Sequence, residues 1–293
     1  AGEVTGGIGS VTNKLGQVKF SGAGAIELDG SLFANTLVIA NAGVDAKAAG
    51  VINSNVDYTA DGTVEADEGI AGSVTTSANN QGTLKIGGGT VTGTVGTLAN
   101  ALKLVDFVAG NSVLTSGVFA TDFKVEAGAN VTANGLLTGK VGYAGAGTLV
   151  VNKGITGNID FANQDGILNI GTSGVVTGNI TGPSGTINFA GVPVTGTVGT
   201  NLNPVSLVSF NGTGAFEIPA QWFSQTFNVG NSGADITDVN ALNGNVSYSA
   251  AGKFTANGAM TGNVDFNNKA GTFSLGAGKI LTGGITSTGA VNG

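Results

Sequence analysis

The chain contains no cysteine, no histidine and no arginine; all eleven of its basic residues are lysine. Each absence removes a class of chemistry. Without Cys or His, zinc, copper, haem and iron–sulfur sites lose their usual ligands. Neither a thiol nucleophile nor a Ser-His-Asp arrangement can be assembled. Without Arg there is no bidentate fork for a phosphate, a carboxylate or a guanine edge. Charged residues are only 10% of the 293, against roughly 25% in an ordinary domain. The formal net charge of −7 repels nucleic acid and anionic lipid, so nucleic-acid binding is not expected. Zero cysteine excludes disulfide stabilisation without placing the chain in a compartment. No apolar run approaches the roughly 18 residues of a membrane helix. The chain opens at Ala1 without a signal-type segment and ends on Val291, Asn292 and Gly293 without a stop signal, so it reads as a piece of something longer.

What is present is glycine, at 53 residues where roughly 7% of a chain is usual. Disorder is the ordinary consequence of such a bias. Here proline is only four residues, the mean hydropathy is +0.27, and Val, Ile, Leu and Phe recur in short alternating runs. That pattern predicts a folded β protein.

The runs belong to a segment of roughly a hundred residues written three times. The second copy has TVGT (Thr94 to Thr97) and later VGYAGAGTLVVNKGITGNIDFAN (Val141 to Asn163). The third has TVGT (Thr197 to Thr200) and VSYSAAGKFTANGAMTGNVDFNN (Val246 to Asn268). Gly147 and Gly252, Gly157 and Gly262, and Phe161 and Phe266 are each 105 positions apart. A fainter first copy, Val56 to Val74, lies over Val141 to Ile159, pairing Tyr58 with Tyr143 and Gly72 with Gly157. The chain is thus expected to be a single unit over 1–293 made of three long repeats, approximately 1–97, 98–200 and 201–293.

A shorter unit sits inside the long one: G-T-Φ-x-Φ, three to five residues, then Φ-T-G-x-Φ, with Φ apolar. It appears at Gly82 to Val95, Gly147 to Ile159, Gly166 to Ile180, Gly185 to Val198 and Gly271 to Ile285. The glycine of its T-G pair falls at 72, 93, 139, 157, 178, 196, 262 and 283. Those gaps imply a period near 20, with some coils degenerate. Short alternating strands at that period predict an all-β solenoid, a right-handed parallel β-helix with coils of about 20 residues. About 13 coils at roughly 4.8 Å each would make a rod on the order of 60 Å. Asn158, Asn179 and Asn263 follow the T-G glycine and are expected to stack as a hydrogen-bonded amide ladder.

Each long copy also has a bulkier stretch: Lys19 to Ile39, Asp106 to Val125 and Ser209 to Val229. These read as coils with a fatter interior that carry protruding loops. Phe33, Phe119 and Phe223 line up, with Leu37, Phe123 and Phe227 four positions on. Phe223 reads as core, which turns its neighbour Trp222 to the opposite face of an extended segment. Trp222, with Gln221 and Pro219 beside it, is the candidate partner contact, since Trp is favoured at interface hot spots; core packing is the alternative. The acidic stretch Asp57, Asp61, Glu65, Asp67 and Glu68 could in principle collect calcium. It lacks the Gly-Gly-x-Gly-x-Asp nonapeptide of calcium β-rolls and reads as a solvated coil edge. Asp160 and Asp265 correspond between copies, but Asp165 has Ala270 as its counterpart, and Asp235 and Asp238 have no equivalents. A catalytic carboxylate pair is unsupported, and no catalytic, cofactor or metal site is expected.

Coils such as GVVTGNITGPSGTINFAGVPVTGTVGTNLNPVSLVSFNG (Gly174 to Gly212) resemble the passenger region of the rickettsial surface cell antigen autotransporters. The resemblance implies a passenger exported through a C-terminal barrel that is not in this chain and displayed at the outer membrane. It also implies a surface-layer antigen that adheres to a host cell-surface protein and takes part in invasion, with lateral self-association compatible. A spacer without a specific partner is the alternative function, and a polysaccharide-active enzyme is a third.

Overall fold

The computed structural model describes residues 2–191 and 194–288. Val192 and Pro193, which fall within one copy of the short repeat, lie outside the described residues, as do Ala1 and the closing Val291, Asn292 and Gly293. The ordered elements are all β-strands, and their pairings are parallel. They stack as a β-solenoid of about 14 turns, each of about 19 residues. The G-T-Φ-x-Φ units are strands, beginning at or just after the glycine: Thr83–Ile86, Thr148–Val151, Ile167–Ile170, Thr186–Phe189 and Thr272–Leu275. Two compact units divide the chain, Ala1–Thr156 and Gly157–Gly293. Their boundary falls inside the second long repeat.

In the unit Ala1–Thr156 one stack runs through Gly24–Leu28, Val44–Ala48, Thr63–Ala66, Thr83–Ile86, Leu102–Phe107, Val118–Val125 and Leu137–Tyr143. Alternation sends every second side chain inward. The register therefore lays Leu28, Ala48, Ala66, Ile86, Phe107, Val125 and Tyr143 over one another, all of them buried. The outward column of the same strands reads Glu27, Lys47, Glu65, Lys85, Asp106, Lys124. Charges of alternating sign thus face each other across successive turns, where opposite pairs stabilise and like pairs would repel. The Lys47 ammonium lies 2.5 Å from Glu65 and 3.3 Å from Asp67, and the Glu65 carboxylate holds its pKa above the ordinary value.

In the unit Gly157–Gly293 the main stack is Ile167–Ile170, Thr186–Phe189, Val205–Phe210, Phe223–Val229 and Leu242–Tyr248. A second stack is Gly214–Ile218, Ala234–Asp238, Lys253–Ala256 and Thr272–Leu275. One outward column here is uncharged for most of its length: Asn169, Asn188, Ser209, Asn228, Ser247, then Asp265. Asn188 donates to Asn169 Oδ1 at 2.8 Å and Asn228 to Ser209 Oγ at 2.9 Å. This is a side-chain ladder, but not the one expected.

The asparagines after the T-G glycine do something else. Asn158 Oδ1 accepts the backbone N–H of Asn179 at 3.0 Å, and Asn179 Oδ1 accepts that of Thr197 at 3.0 Å. Asn245 serves Asn263, and Asn263 serves Gly284, both at 2.9 Å. Each amide reaches the main chain one turn on, in place of a neighbouring amide. The corner forces this choice. Gly178 has φ +149°, and a Cβ there would stand 2.2 Å from the carbonyl oxygen of Gly157. Gly262 repeats the geometry with φ +143° and 2.1 Å to Gly244 O. The chain approaches the previous turn too closely for any side chain, and the next residue's amide oxygen takes the backbone donor exposed by the bend.

Gly178→Ala combines an unfavourable φ with a backbone overlap, so it is expected to destabilise the chain by more than about 2 kcal/mol. Gly2→Ala meets nothing within 4 Å and should leave the thermal midpoint unchanged; circular-dichroism melts of the two variants check this.

Candidate binding surface

Three hairpin loops project from the solenoid, each near the start of one long repeat: Ser10-Val11-Thr12-Asn13, Thr97-Leu98-Ala99-Asn100 and Thr200-Asn201-Leu202-Asn203. Each is closed in the same way. The first N–H donates to the fourth residue's carbonyl, at 3.2, 2.9 and 3.0 Å in chain order. The fourth N–H returns to the first hydroxyl at 3.1, 3.0 and 3.1 Å. A glycine precedes each loop, Gly9, Gly96 and Gly199, with φ of +71°, +63° and +64°. The insertion lengthens the turn, so stacked partners around it are Ile8 and Leu32, Val95 and Val118, Val198 and Trp222. With the first hydroxyl and the facing main-chain groups used in closure, each loop offers an aliphatic tip. Val11 is 72% exposed, Leu98 81% and Leu202 87%.

Beside each loop a half-buried phenylalanine donates its N–H back to the residue before the glycine: Phe33 to Ile8, Phe119 to Val95 and Phe223 to Val198, at 2.7 to 2.8 Å. The register slips just after each of them, between Phe33 and Thr36, Phe119 and Asp122, and Phe223 and Thr226. This bulge corrects two expectations. Phe223 reads as core from its alignment with Phe33 and Phe119; the bulge breaks the two-residue period, so Phe227 points inward while Phe223 points outward. Trp222 is accordingly interior, with 1% of its surface exposed. Its Nε1 donates to Gly196 O at 3.1 Å, and its ring stacks on Phe189 with centroids 5.7 Å apart. It is not an exposed anchor. Gln221 and Pro219, beside it, are exposed. The loop signature, a Gly-Ser/Thr pair with Asn three residues on, was present in the sequence at all three places, masked by the unlike residues between.

Several of the carboxylates are engaged within the fold. Asp61 pairs with Lys103 at 2.8 Å, which holds its carboxyl below the usual range. Glu65 and Asp67 share Lys47, and Asp57 accepts from Thr75 Oγ1 at 3.1 Å. Among the described residues no three acidic side chains converge to hold a metal ion. Asp160 accepts the Ala162 N–H at 3.0 Å, and Asp265 accepts those of Asn267 at 2.9 Å and Thr288 at 2.8 Å. Each braces a tight turn whose next residues, Ala162 and Asn163 or Asn267 and Asn268, have positive φ. Asp235 lies 3.3 Å from Lys253. Asp238 is fully buried, with Oδ1 accepting the Asn240 N–H at 3.2 Å and Oδ2 without a partner. Burial pushes its carboxyl up to about 6.

Two outcomes follow. Trp222→Ala is expected to cost about 3–5 kcal/mol, as for other large core aromatics, and to lower the melting temperature. Asp238, raised in the fold relative to its unfolded value near 3.9, favours the native state below about pH 4; that contribution is lost as pH rises through about 6. Asp238→Asn should therefore gain on the order of 2 kcal/mol over the parent at pH 7.5. Urea denaturation across pH 4 to 8 should show the difference closing at the acid end.

The chain is similar to Outer membrane protein B of Rickettsia rickettsii, 30% identical over 189 residues that make up 61% of this chain and 11% of the relative. It is also similar to Outer membrane protein A of the same organism, 28% identical over 298 aligned positions covering 96% of this chain and 11% of that protein. The chain thus spans about a tenth of the length of the curated relatives it matches. No protein-family model matches it, and no solved structure does. The names of both relatives support a place at the bacterial outer membrane and cell surface. Repeat style and similarity agree: the chain is homologous, weakly, to rickettsial outer membrane proteins, as its resemblance to the surface antigens led one to expect.

Proposed function

We propose that this chain is an adhesive segment of a surface-displayed autotransporter passenger, anchored by a C-terminal barrel elsewhere in the parent protein. In this reading the solenoid is a scaffold, its partner is a host cell-surface protein, and it acts by binding and not by turnover. The observation that supports it is the threefold recurrence of one projecting feature, an aliphatic loop tip beside a half-buried phenylalanine. Single exposed aliphatics are ordinary on any protein surface, so it is the recurrence of Val11, Leu98 and Leu202 on the same closed loop that supports the reading. Repeated weak contacts on one molecule gain avidity without any one of them being strong.

Attachment of the 293-residue chain to cultured host cells tests the proposal. Saturable attachment is expected. The triple variant Val11→Ser, Leu98→Ser, Leu202→Ser should weaken it at least tenfold, and each single change about threefold or less, with circular dichroism unchanged. Attachment that never saturates, or that survives the triple change, would favour the spacer.

A further inference from the structure

In the third long repeat the loop and its phenylalanine border a cleft of about 340 Å³, all within the unit Gly157–Gly293. Asn201 of the loop, Phe223, Gln225, Asn243, Asn245 and Thr261 line it. Phe223 forms the aromatic wall, half-buried. Asn243 stands next to it in register on the following turn, and Thr261 next to Asn243 on the turn after that. Gln225 lies in the bulge, where the slipped register re-aims side chains. Among the described residues the amides of Asn201, Gln225 and Asn243 have no hydrogen-bond partner, while Asn245 uses only its oxygen, on the Asn263 N–H.

The other two copies are built differently at the same place. In the first, Asn53 stands beside Phe33, but its Oδ1 is taken by Lys14 Nζ at 2.6 Å. In the second, Thr138 replaces the amide, and Asp122 and Lys140 face each other two to three positions along. Among the described residues only the third copy leaves a free amide against the ring with uncharged neighbours.

We propose that this third-copy cleft binds a neutral oligosaccharide, giving the adhesive reading, on which this rests, its ligand chemistry at one of the three positions. A side-chain amide offers a donor and an acceptor side by side, the pattern that adjacent sugar hydroxyls complement. The apolar face of a pyranose ring packs against an aromatic face, as Phe223 provides. Successive turns are about 4.8 Å apart, close to the advance of one sugar ring, so a chain lying along the stack meets Phe223, Asn243 and Thr261 in turn. Charge selects against acidic glycans. No lysine lines the cleft to pair with a uronate or sulfate, and the carboxylate in the adjoining cleft, Asp265, is engaged by Asn267 and Thr288. The protein's net charge of −7 adds a further repulsion.

The test uses the 293-residue chain, titrated with maltohexaose, cellohexaose and chitohexaose, and in parallel with a heparin hexasaccharide, followed by calorimetry and saturation-transfer NMR. At least one neutral series should saturate. Phe223→Ala should weaken it about tenfold or more, equivalent to about 1.4 kcal/mol, and Phe33→Ala should leave it unchanged. Asn243→Asp, an outward and isosteric change, should show a comparable loss and covers the case in which Phe223→Ala melts the fold. The proposal is overturned if no neutral oligosaccharide saturates, if heparin alone binds, or if Phe33→Ala costs as much as Phe223→Ala. Host-cell attachment that persists when no oligosaccharide binds would remove the saccharide and leave the adhesive reading standing. Oligosaccharide binding without cell attachment would do the reverse.

Discussion

Everything in this protein depends on parallel strands stacked in register, so that each turn's backbone is completed by the next. A turn of about 19 residues cannot bury its apolar side chains alone; it does so only by lying on its neighbours. Stacking also places each side chain over its counterpart one turn away, and this makes the sequence repetitive. Inward columns then accept almost any apolar residue that fits its neighbours, as the succession from Ala66 through Phe107 to Tyr143 shows. Outward columns are more demanding, because like charges would meet at close range. The unit Ala1–Thr156 answers with alternating signs, and the unit Gly157–Gly293 with amides and hydroxyls.

The same constraint explains where binding features can be placed. A residue within the strand pairing cannot leave it without breaking bonds on both sides. Several extra residues are accommodated at a corner, where a glycine turns the chain and a short hairpin closes on itself, and a single one within a strand as a bulge. The three Ser/Thr-to-Asn loops are such insertions, and each is followed on the next turn by a bulge that brings a phenylalanine outward. Similarity to rickettsial outer membrane proteins gives this arrangement a setting at the cell surface.

Much of the fold was legible because glycine and alternation recur at fixed spacing. The strands after each Gly-Thr, the column of T-G glycines and the fatter interior of the three bulky stretches could all be read from periodicity and alignment. Phe223 and Trp222 could not, since a bulge inserts one residue and exchanges inside for outside, and nothing in a single extended run announces it. The asparagine ladder was half legible: the residues were recognised, but their acceptor role toward the backbone depends on how closely Gly157 and Gly178 approach. The loops escaped because their tips, Val11, Leu98 and Leu202, look like core residues by composition. The pairing of charges from Glu27 to Lys124 needed the register, which separates in sequence what it joins in space.

The asparagine at each glycine corner has one further consequence. Its oxygen is held by a main-chain N–H of the following turn. Because each oxygen serves the turn after its own, loss of one amide leaves a donor open on the neighbouring turn. The links from Asn158 to Asn179 and on to Thr197, and from Asn245 to Asn263 and on to Gly284, therefore carry a defect at one corner to the next. The corners that shape the solenoid thereby also bind each turn to its successor.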